Sequence, residues 1–370
     1  MPHDRGPLKS ALGRLARLSN IMLIGLFGIG YVSAFLPPEW FWWTGLPASL
    51  LPFLAAGILA AGLLHFVLGH WGYVILHTVL LGLFLMRTGG LPGASEVPPD
   101  DRPLLTVMSF NYTPFERGNE VNPLLRSTLG DLASTYSPDL IAMQSIRVFQ
   151  RRGELALIDQ LDTLATVGYH AEPEHNTAPF LDTRVPLFRH SSPPTRQEPI
   201  VLDAQQGTDR HVMRSELEWD GQTIVVYNVH LRSFERGHAL NLLATGRYRA
   251  ALRELVAIYR RDVLHRTREA RELRHLLDEE TKPLLLIGDM NASPFNWEYR
   301  HIRGTRADAA AQMGGNWKFT WHTQLPLARI DHVLTSEHWK PISLRIDTTT
   351  ISDHYPLIME LQRADQGMDE

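Results

Sequence analysis

Two short segments of this sequence combine acidic, amide and imidazole side chains at spacings that could do chemistry. Asp289 and Asn291 follow the apolar run Leu284–Ile287, and Asp353 and His354 stand side by side near the C-terminus. An apolar run that stops at polar residues is typical of a buried β-strand, and the end of a rigid strand is a common place for catalytic groups. The two segments therefore indicate a hydrolytic site.

Polar side chains also stand at the ends of other predicted strands. In chain order the whole set is Asn111, Gln144, Asn228, His230, Asp289, Asn291, Asp331, Asp353 and His354. Hydrolysis of a phosphate ester needs oxygen ligands for a hard cation, a carboxylate that accepts a proton from water, and donors for the phosphoryl oxygens. A lone Asp-x-Asn is more often a turn cap, so the prediction of phosphoryl chemistry depends on the whole ordered set.

In this ordered set the chain resembles the endonuclease/exonuclease/phosphatase superfamily, which has the fold of DNase I. The resemblance covers about residues 104–362. Its motifs are SFN ending at Asn111, AMQ at Gln144, NVHL with His230, GDMNASP with Asp289 and Asn291, RIDHVL with Asp331, and SDHYP with Asp353 and His354. The resemblance implies an α/β fold: a four-layer α/β/β/α sandwich, DNase I-like, with two mixed sheets face to face and the active site at one end.

The resemblance also implies catalytic roles. Asp289 would orient or deprotonate the attacking water, and Asn291 would hold the phosphate. His354 would contact the scissile phosphate, kept cationic by Asp331 because a neighbouring carboxylate raises the pKa of an imidazole. His230 would stabilise the phosphoryl group or protonate the leaving oxygen.

Substrate and metal positions follow from the same resemblance. Arg210 and Asn228 are the predicted substrate-binding residues, although the local match around Arg210 is loose. Asn111 and Asp353 would bind the divalent metal, Mg²⁺ or Mn²⁺, which suits ligands that offer oxygen.

Ser145 departs from the family pattern at a metal-binding position. The family normally has Gln-Glu at the end of the second strand, whereas this chain has Gln144-Ser145. A serine hydroxyl is a neutral and poor ligand for a hard divalent ion. Another acid such as Glu154 or Glu116 could replace the missing ligand, Asp353 and Asn111 could hold the metal with waters, the protein could be impaired or act as a binding module, or the residue could be an introduced substitution.

The 370-residue chain has two parts of unlike composition. Residues 21–87 are almost free of charge, whereas the chain after about residue 100 has the mixed composition of a globular domain with one α/β core. The chain has no cysteine, which excludes disulfides, thiol nucleophiles and cysteine zinc sites.

The uncharged part predicts a membrane region. Apolar stretches at 21–36, 48–68 and 71–86 are each near the roughly 17 to 25 residues of a spanning helix. The basic residues before the first stretch favour a cytoplasmic N-terminus by the positive-inside rule. We therefore predict a multi-pass membrane protein whose catalytic domain is extracytoplasmic, on the periplasmic side in a bacterium.

Two other interpretations of the apolar part stay open. The first stretch could be a signal peptide, because Val32-Ser33-Ala34 resembles a small-residue cleavage site. The second and third stretches could form a helical hairpin that enters the bilayer without crossing it. The predicted domains are a basic cytoplasmic N-terminus (1–20), three transmembrane helices (21–87), a linker rich in glycine and proline (88–103), the catalytic domain (104–364) and a tail (365–370).

Periodicity predicts the elements of the globular part. They are a strand at 104–111, a helix at 123–136, a strand at 140–144, a hairpin of strands 215–219 and 223–228, one or two helices over 239–280, and strands at 283–288, 329–335, 344–347 and 356–362. The helical region 239–280 is rich in arginine and could bind nucleic acid or anionic lipid. Interleaved acids such as Glu254, Asp262, Glu269 and Glu272 favour an ordinary solvated face.

These patterns predict a membrane-anchored, divalent-metal-dependent phosphoesterase that acts by in-line attack of water. Its partners would be a phosphate-ester substrate, either a lipid-linked phosphate or nucleic acid, and the lipid bilayer, with no obligate protein partner. The alternative, favoured by Ser145, is a membrane receptor or scaffold that binds a phosphorylated ligand without turning it over. Endonuclease, exonuclease and monoesterase activities are not separable from one sequence.

Overall fold

The structure is a computed structural model. It describes residues 7–90, 97–112, 123–145, 149–151, 154–156, 164, 166–170, 185, 187–191, 194–203, 211–234, 237–322, 326–349 and 352–364. The chain forms two compact units. The first contains the chain up to Leu91 and the segment Phe295–Arg300, and the second contains Pro92–Pro294 and the chain from His301 onward.

The first unit is helical. Its helices are α1 (Pro7–Val32), α2 (Pro38–Phe41), α3 (Gly45–Ser49), α4 (Leu51–Val67) and α5 (Trp71–Thr88). Two helical segments, Arg14–Phe35 and α5, are long and apolar enough to cross a membrane, and a third candidate arises if the bent pair Pro38–Ser49 and α4 counts as one span. The pair is bent by 58°, in a stretch where prolines interrupt the helical hydrogen bonds.

The polar side chains buried in the first unit have hydrogen-bond partners. His77 is buried, and its Nε2 lies 3.0 Å from Asn20 Oδ1. Asn296, from the segment that is distant in sequence, donates to Gly45 O at 2.9 Å and accepts from Ser49 Oγ at 3.0 Å. These bonds satisfy polar groups that would destabilise an apolar helical bundle if they were buried without partners.

The second unit contains two sheets of six strands each. Its strands are β1 (Leu105–Asn111), β2 (Leu140–Gln144), β3 (Phe149–Arg151), β4 (Glu154–Ala156), β5 (Tyr169–His170), β6 (Leu187–His190), β7 (Arg196–Val201), β8 (His211–Trp219), β9 (Gln222–His230), β10 (Leu284–Asp289), β11 (Ala307–Asp308), β12 (Trp321–His322), β13 (Pro326–Ala328), β14 (Asp331–Thr335), β15 (Trp339–Ile346) and β16 (Leu357–Arg363). The strand orders are β15-β16-β1-β2-β6-β5 and β11-β14-β10-β9-β8-β7, and the short pairs β3-β4 and β12-β13 stand apart.

Both large sheets are mixed, and helices flank them. Strands β1 and β2 are parallel, as are β9 and β10, whereas the other neighbours given by the registers are antiparallel. The other α-helices in the described part of the chain are α6 (Pro123–Tyr136), α7 (Gly237–Ala244), α8 (Tyr248–Glu279), α9 (Trp297–Arg303) and α10 (Ala309–Gln312). This is a DNase I-like fold, as the sequence predicted.

Side-chain alternation explains the layers. On β1, Leu105 and Val107 enter the core between the sheets, where they meet Ile224 and Leu285 of the second sheet. The intervening positions face the other way, and Met108 packs in a cluster with residues of α6. A strand buried on both faces reads as a continuous apolar run, which is why β1, β2 and β10 were predictable.

The structure corrects some element boundaries. Strand β8 begins at His211, earlier than predicted. Of the two alternatives predicted for the helical region 239–280, the structure has two helices, α7 and α8, separated near Gly246. The end of the predicted linker is hydrogen-bonded within the second unit: Val97 N donates to Ile342 O at 3.0 Å, and Gln362 Nε2 donates to Arg102 O at 2.7 Å.

Candidate active site

Three predicted site residues lie side by side at one end of the second sheet. In the parallel register of β9 and β10, Asp289 is opposite His230, and in the antiparallel register of β10 and β14, Asp289 is opposite Asp331. Because neighbouring strands are about 4.8 Å apart, the strand pairing alone brings the three side chains to the same edge. Each is buried.

The first sheet contributes a residue to the same place. Asn111 ends β1 beside Gln144 at the end of β2. Its Nδ2 donates to Asp289 Oδ2 at 2.8 Å, a hydrogen bond that links the two sheets. The edges of both sheets therefore meet at Asp289.

Asp289 Oδ2 is the point where these polar groups converge. Besides Asn111, Asn291 Nδ2 donates to it at 3.2 Å, His230 Nε2 lies at 3.6 Å and His354 Nε2 lies at 3.8 Å. The other oxygen, Oδ1, accepts the backbone N–H of Asn291 at 2.7 Å. We call these residues together with Asp331 the strand-end cluster: Asn111, His230, Asp289, Asn291, Asp331 and His354.

The turn after β10 orients Asn291 toward Asp289. Asn291 has a φ of 49°, a left-handed conformation that asparagine tolerates better than most residues. Its Nδ2 also donates to Leu231 O at 2.9 Å. Asp289 is thus both the cap of this turn and the centre of the cluster, so the turn-cap interpretation of Asp-x-Asn is compatible with the functional one.

Asp331 fixes the orientation of His354. His354 Nδ1 donates to Asp331 Oδ2 at 2.8 Å, so Nε2 is the nitrogen that faces Asp289. Burial alone would lower the pKa of His354, but the carboxylates of Asp331 and Asp289 raise it to about 9. His354 is therefore cationic at neutral pH.

The two carboxylates of the cluster have opposite tendencies. Burial raises the pKa of Asp289, His354 opposes this effect and Asp331 adds to it, so that the pKa stands well above its usual range. Burial would also raise the pKa of Asp331, but the charge and the hydrogen bond of His354 hold it below its usual range. Asp331 is therefore the permanent anion, and Asp289 is the carboxylate that can accept a proton near neutral pH.

Two hydroxyl groups position the cluster and were not singled out from the sequence. Thr320 Oγ1 accepts the backbone N–H of Asp331 at 3.1 Å. Ser352 Oγ donates to Asn111 O at 2.7 Å and accepts the His354 N–H at 3.2 Å, which ties the His354 segment to the end of β1. Ser352 lies inside the SDHYP motif and could have been found there, whereas nothing local marks Thr320.

Asn228, a predicted substrate-binding residue on β9, makes side-chain hydrogen bonds to the first sheet. It is fully buried. Its Nδ2 donates to Met143 O at 2.9 Å and Val185 O at 3.0 Å, and its Oδ1 accepts from Gln144 Nε2 at 2.8 Å. These bonds link the two sheets, and the contact between Asn228 and substrate stays a prediction. Arg210, the other predicted substrate-binding residue, lies outside the described residues.

The predicted metal ligands differ from the group of side chains whose geometry could hold a metal ion. In the described part of the chain, Asp289, Asp331 and His354 offer ligand atoms that all lie within 4.8 Å of one another, which is compatible with a metal site. Asp353 is not in that group. Its Oδ1 is nevertheless buried and accepts no hydrogen bond from any described residue, as expected of a carboxylate kept for a cation.

Ser145 lies at the same edge as the strand-end cluster. It follows β2 with a φ of 61°, and its Oγ lies 3.4 Å from His230 Nδ1. At this edge Asn111 and Asp289 offer amide and carboxylate oxygens that suit a hard divalent ion, and Ser145 has a hydroxyl where the family pattern has a carboxylate. Of the replacement acids, Glu116 and the side chain of Glu154 lie outside the described residues.

Comparison with protein-family profiles gives a match over most of the second unit. A profile of the Endonuclease/Exonuclease/phosphatase family matches residues 122–354, which is more than half of the chain and includes five of the six residues of the strand-end cluster. A search of curated proteins found no match.

Solved structures with a similar fold come from several organisms. Humanized D. rerio TDP2 is 16% identical with a TM-score of 0.49, covering 70% of this chain and 99% of that chain. Sphingomyelinase C from Streptomyces griseocarneus is 16% identical with a TM-score of 0.45, covering 71% of this chain and 100% of that one. The human Nocturnin catalytic domain with bound sulfate is 19% identical with a TM-score of 0.46, covering 72% and 97%.

Proposed function

Since this chain belongs to the Endonuclease/Exonuclease/phosphatase family, whose members hydrolyse phosphoester bonds, we propose that it is a membrane-anchored, divalent-metal-dependent phosphoesterase. It would hydrolyse a P–O bond by in-line attack of water. The observation that carries the proposal is the convergence of Asn111, Asn291, His230 and His354 on Asp289 Oδ2. Such a set of donors and one basic carboxylate is what transfer of a phosphoryl group to water requires.

Asp289 is the proposed base. Its raised pKa makes it a better proton acceptor than an exposed aspartate, and it remains partly ionised near neutral pH. The backbone N–H of Asn291 binds Oδ1 at 2.7 Å, and the side-chain amides of Asn111 and Asn291 bind Oδ2 at 2.8 and 3.2 Å. Asn111 and Asn291 then keep the carboxylate in one orientation through the reaction.

His354 and His230 are the proposed contacts of the phosphoryl group. The cationic His354 offers its Nε2–H toward the position in front of Asp289, because Asp331 occupies Nδ1. His230 is on β9, the neighbour of β10 on the side away from Asp331. Its Nε2 lies 3.6 Å from Asp289 Oδ2. Positive and N–H groups on both sides of Asp289 would stabilise the negative charge that spreads over the phosphoryl oxygens.

Asp353 and Asn111 are the proposed ligands of Mg²⁺ or Mn²⁺, with Ser145 beside them. When bound, such an ion acts as a Lewis acid that polarises the phosphoryl oxygens. The support is the buried Oδ1 of Asp353, which lacks a hydrogen-bond partner among the described residues. The Asp289, Asp331 and His354 group is an alternative binding position.

Membrane anchoring and the substrate class belong to the same proposal. The candidate membrane helices in the first unit support anchoring by their length and composition. Family members bind phosphoester substrates such as DNA, and a tethered enzyme would also meet lipid-linked phosphates. The proposed protein crosses the membrane several times, and its catalytic domain lies on the extracytoplasmic side.

Ser145 favours one other function. If the missing carboxylate prevents metal binding, the strand-end cluster would bind a phosphorylated ligand without hydrolysing it. The protein would then be a receptor or scaffold, since the cationic imidazole of His354 and the amide N–H donors can bind phosphate without a metal.

A substrate panel tests the proposal. The full-length protein in detergent would be assayed with Mg²⁺ or Mn²⁺ on bis-p-nitrophenyl phosphate, plasmid DNA, a single-stranded oligonucleotide and a polyprenyl diphosphate. We expect turnover of at least one substrate that disappears in Asp289→Ala and on chelation of the metal. Binding of the substrates without turnover by the wild-type protein would favour the receptor, and turnover unchanged in Asp289→Ala would refute the proposed site.

A further inference from the structure

Helices α7 and α8 expose an apolar face in the second unit. Among the described residues of that unit, the exposed large apolar side chains other than Val201 all lie here. They are Leu240, Leu243, Tyr248, Leu252 and Val256, with exposed fractions between 37% and 70%. Globular domains seldom leave a contiguous apolar patch of this kind uncovered unless it binds something.

The spacing of these residues makes the patch continuous. Tyr248, Leu252 and Val256 are four residues apart on α8, so they form one stripe along the helix. Leu240 and Leu243 are on α7, which contacts α8 directly. In the first ten residues of α8, Ala251 is the residue whose side chain is buried, whereas most buried residues of this helix lie from Ile258 onward.

The same part of the two helices is basic. Arg247, Arg249, Arg253 and Arg260 are exposed, and none of them makes an ion pair within the described part of the chain. Between Gly237 and Val256, Glu254 is the one acidic residue. We call this region the α7–α8 surface: the five apolar residues above together with these four arginines.

Three of the four acids interleaved with the arginines bind groups outside this helix. Asp262 and Glu269 are buried. Asp262 pairs with Arg232 at 3.2 Å and with Arg261 of the same helix at 3.0 Å, and Glu269 accepts the backbone N–H of Arg232 at 2.7 Å. Glu272 accepts the backbone N–H of Asp203 at 2.7 Å. The C-terminal two thirds of α8 therefore holds the domain together, whereas its N-terminal third has an excess of positive charge, with Arg249 and Arg253 against Glu254.

We propose that the α7–α8 surface lies on an anionic lipid bilayer, with its apolar side chains at the boundary of the acyl chains and its arginines at the headgroup phosphates. A helix with an apolar face and an arginine-rich flank inserts about 5–10 Å into this boundary, and anionic lipids strengthen its binding. A soluble partner protein or a second copy would not require the excess of arginine. The candidate membrane helices of the same chain keep a bilayer within reach at a high effective concentration.

The α7–α8 surface is connected to the strand-end cluster. Helix α7 begins at Gly237, shortly after His230 ends β9. In the intervening segment, Phe234 contacts the ring of Tyr259 on α8, with centroids 5.6 Å apart, and Arg232 is held by Glu269. Provided that the proposed function holds, a bilayer on this surface would favour phosphoesters carried by lipid over soluble ones.

The depth of single labels in the bilayer tests the inference. Because the chain has no cysteine, Leu252→Cys, Val256→Cys and His275→Cys can each carry one nitroxide in the full-length protein. His275 is the matched control, since it is on the same helix with a side chain 73% exposed. The protein would be reconstituted in phosphatidylcholine vesicles with or without phosphatidylglycerol, and collisions with oxygen and with a water-soluble nickel chelate would be compared.

We expect the ratio of oxygen to nickel collisions at positions 252 and 256 to exceed that at position 275 by at least about threefold, and to rise with phosphatidylglycerol. The double variant Arg249→Gln and Arg253→Gln should reduce this difference. Equal ratios at the three positions would overturn the inference. Shielding that depends on the ratio of protein to lipid, and not on phosphatidylglycerol, would also overturn it and indicate a second copy.

Hydrolysis measured in the same vesicles separates this inference from the proposed function. Labels that insert in a protein without activity would leave the bilayer contact standing and refute the phosphoesterase. Labels that remain in water in an active protein would refute the bilayer contact and support the phosphoesterase.

Discussion

At the scale of residues, the site depends on the opposite pKa shifts of two buried aspartates. Asp331 accepts a hydrogen bond from a cationic imidazole, which lowers its pKa and keeps it ionised. Burial raises the pKa of Asp289 despite the donors around it. When their environments shift the pKa values of neighbouring groups in opposite directions, one site can contain both a base and a cation at the same pH. The type of each residue was predictable from its strand-end position, but this division of labour required the distances.

Removal of the Asp331 charge should change the pH dependence of activity. Catalysis that needs cationic His354 is lost as the pH rises through the pKa of His354, which the carboxylates raise. In Asp331→Asn that pKa falls, so we expect the alkaline limb of the kcat profile to move to lower pH and kcat to fall by about 10²-fold or more. The matched control is Asp220→Asn, in the turn at the other end of β9, and an unmoved alkaline limb in Asp331→Asn would contradict the role of the dyad.

Restoring the missing carboxylate should strengthen metal-dependent activity. In Ser145→Glu a charged oxygen ligand is added beside Asn111 and His230, so the Mg²⁺ concentration for half-maximal activity should fall by about tenfold, which is about 1.4 kcal/mol. Ser145→Gln is the control, because it has the same size without the charge. Equal metal dependence in the two variants would mean that position 145 does not face the ion.

At the scale of elements, the strands that carry the site were predictable because they are apolar runs ending in polar residues. Strands β1, β2 and β10 match their predictions to within about a residue. The boundary between α7 and α8 was not resolved, because the amphipathic period continues across it, although Gly246, with a φ of 73°, is the residue that permits the break. Sequence pattern also could not distinguish the role of Asn228 from that of the amides in the strand-end cluster, since each lies at or near the end of a predicted strand.

Asn228 provides a test of that distinction. If it ties the sheets together, Asn228→Ala leaves Met143 O, Val185 O and Gln144 Nε2 without their partner. The melting temperature of the protein in detergent should then fall by about 5–10 °C, with little change in KM. Thr223→Ala, near the exposed start of β9, is the control. A raised KM with an unchanged melting temperature would instead support the substrate contact.

At the scale of the whole molecule, composition alone separated an apolar helical part from an α/β part. The segment Phe295–Arg300 could not be assigned in this way, because it follows a strand of the catalytic domain yet belongs to the helical unit. Its placement depends on tertiary contacts such as the bonds from Asn296 to Gly45 and Ser49. Periodicity describes an element by itself and carries no information about such distant partners.

The predicted topology can be measured with the cysteine-free chain. In cells that express the protein, His275→Cys should react with a membrane-impermeant maleimide before lysis, and Ser10→Cys should react only after lysis. This outcome follows from a cytoplasmic basic N-terminus and an odd number of crossings. The opposite pattern would place the catalytic domain in the cytoplasm, and labelling of both positions before lysis would exclude three crossings.

The central claim is that segments distant in sequence act as one catalytic centre at Asp289. The most direct measurement is a double-variant cycle of kcat/KM on bis-p-nitrophenyl phosphate with Asp289→Asn, His354→Gln and the two combined. We predict that each single variant loses at least about 10²-fold, and that the combination loses little more than the worse single variant, because residues of one catalytic unit are strongly non-additive. Single variants with near wild-type activity, or losses that simply multiply, would contradict the claim.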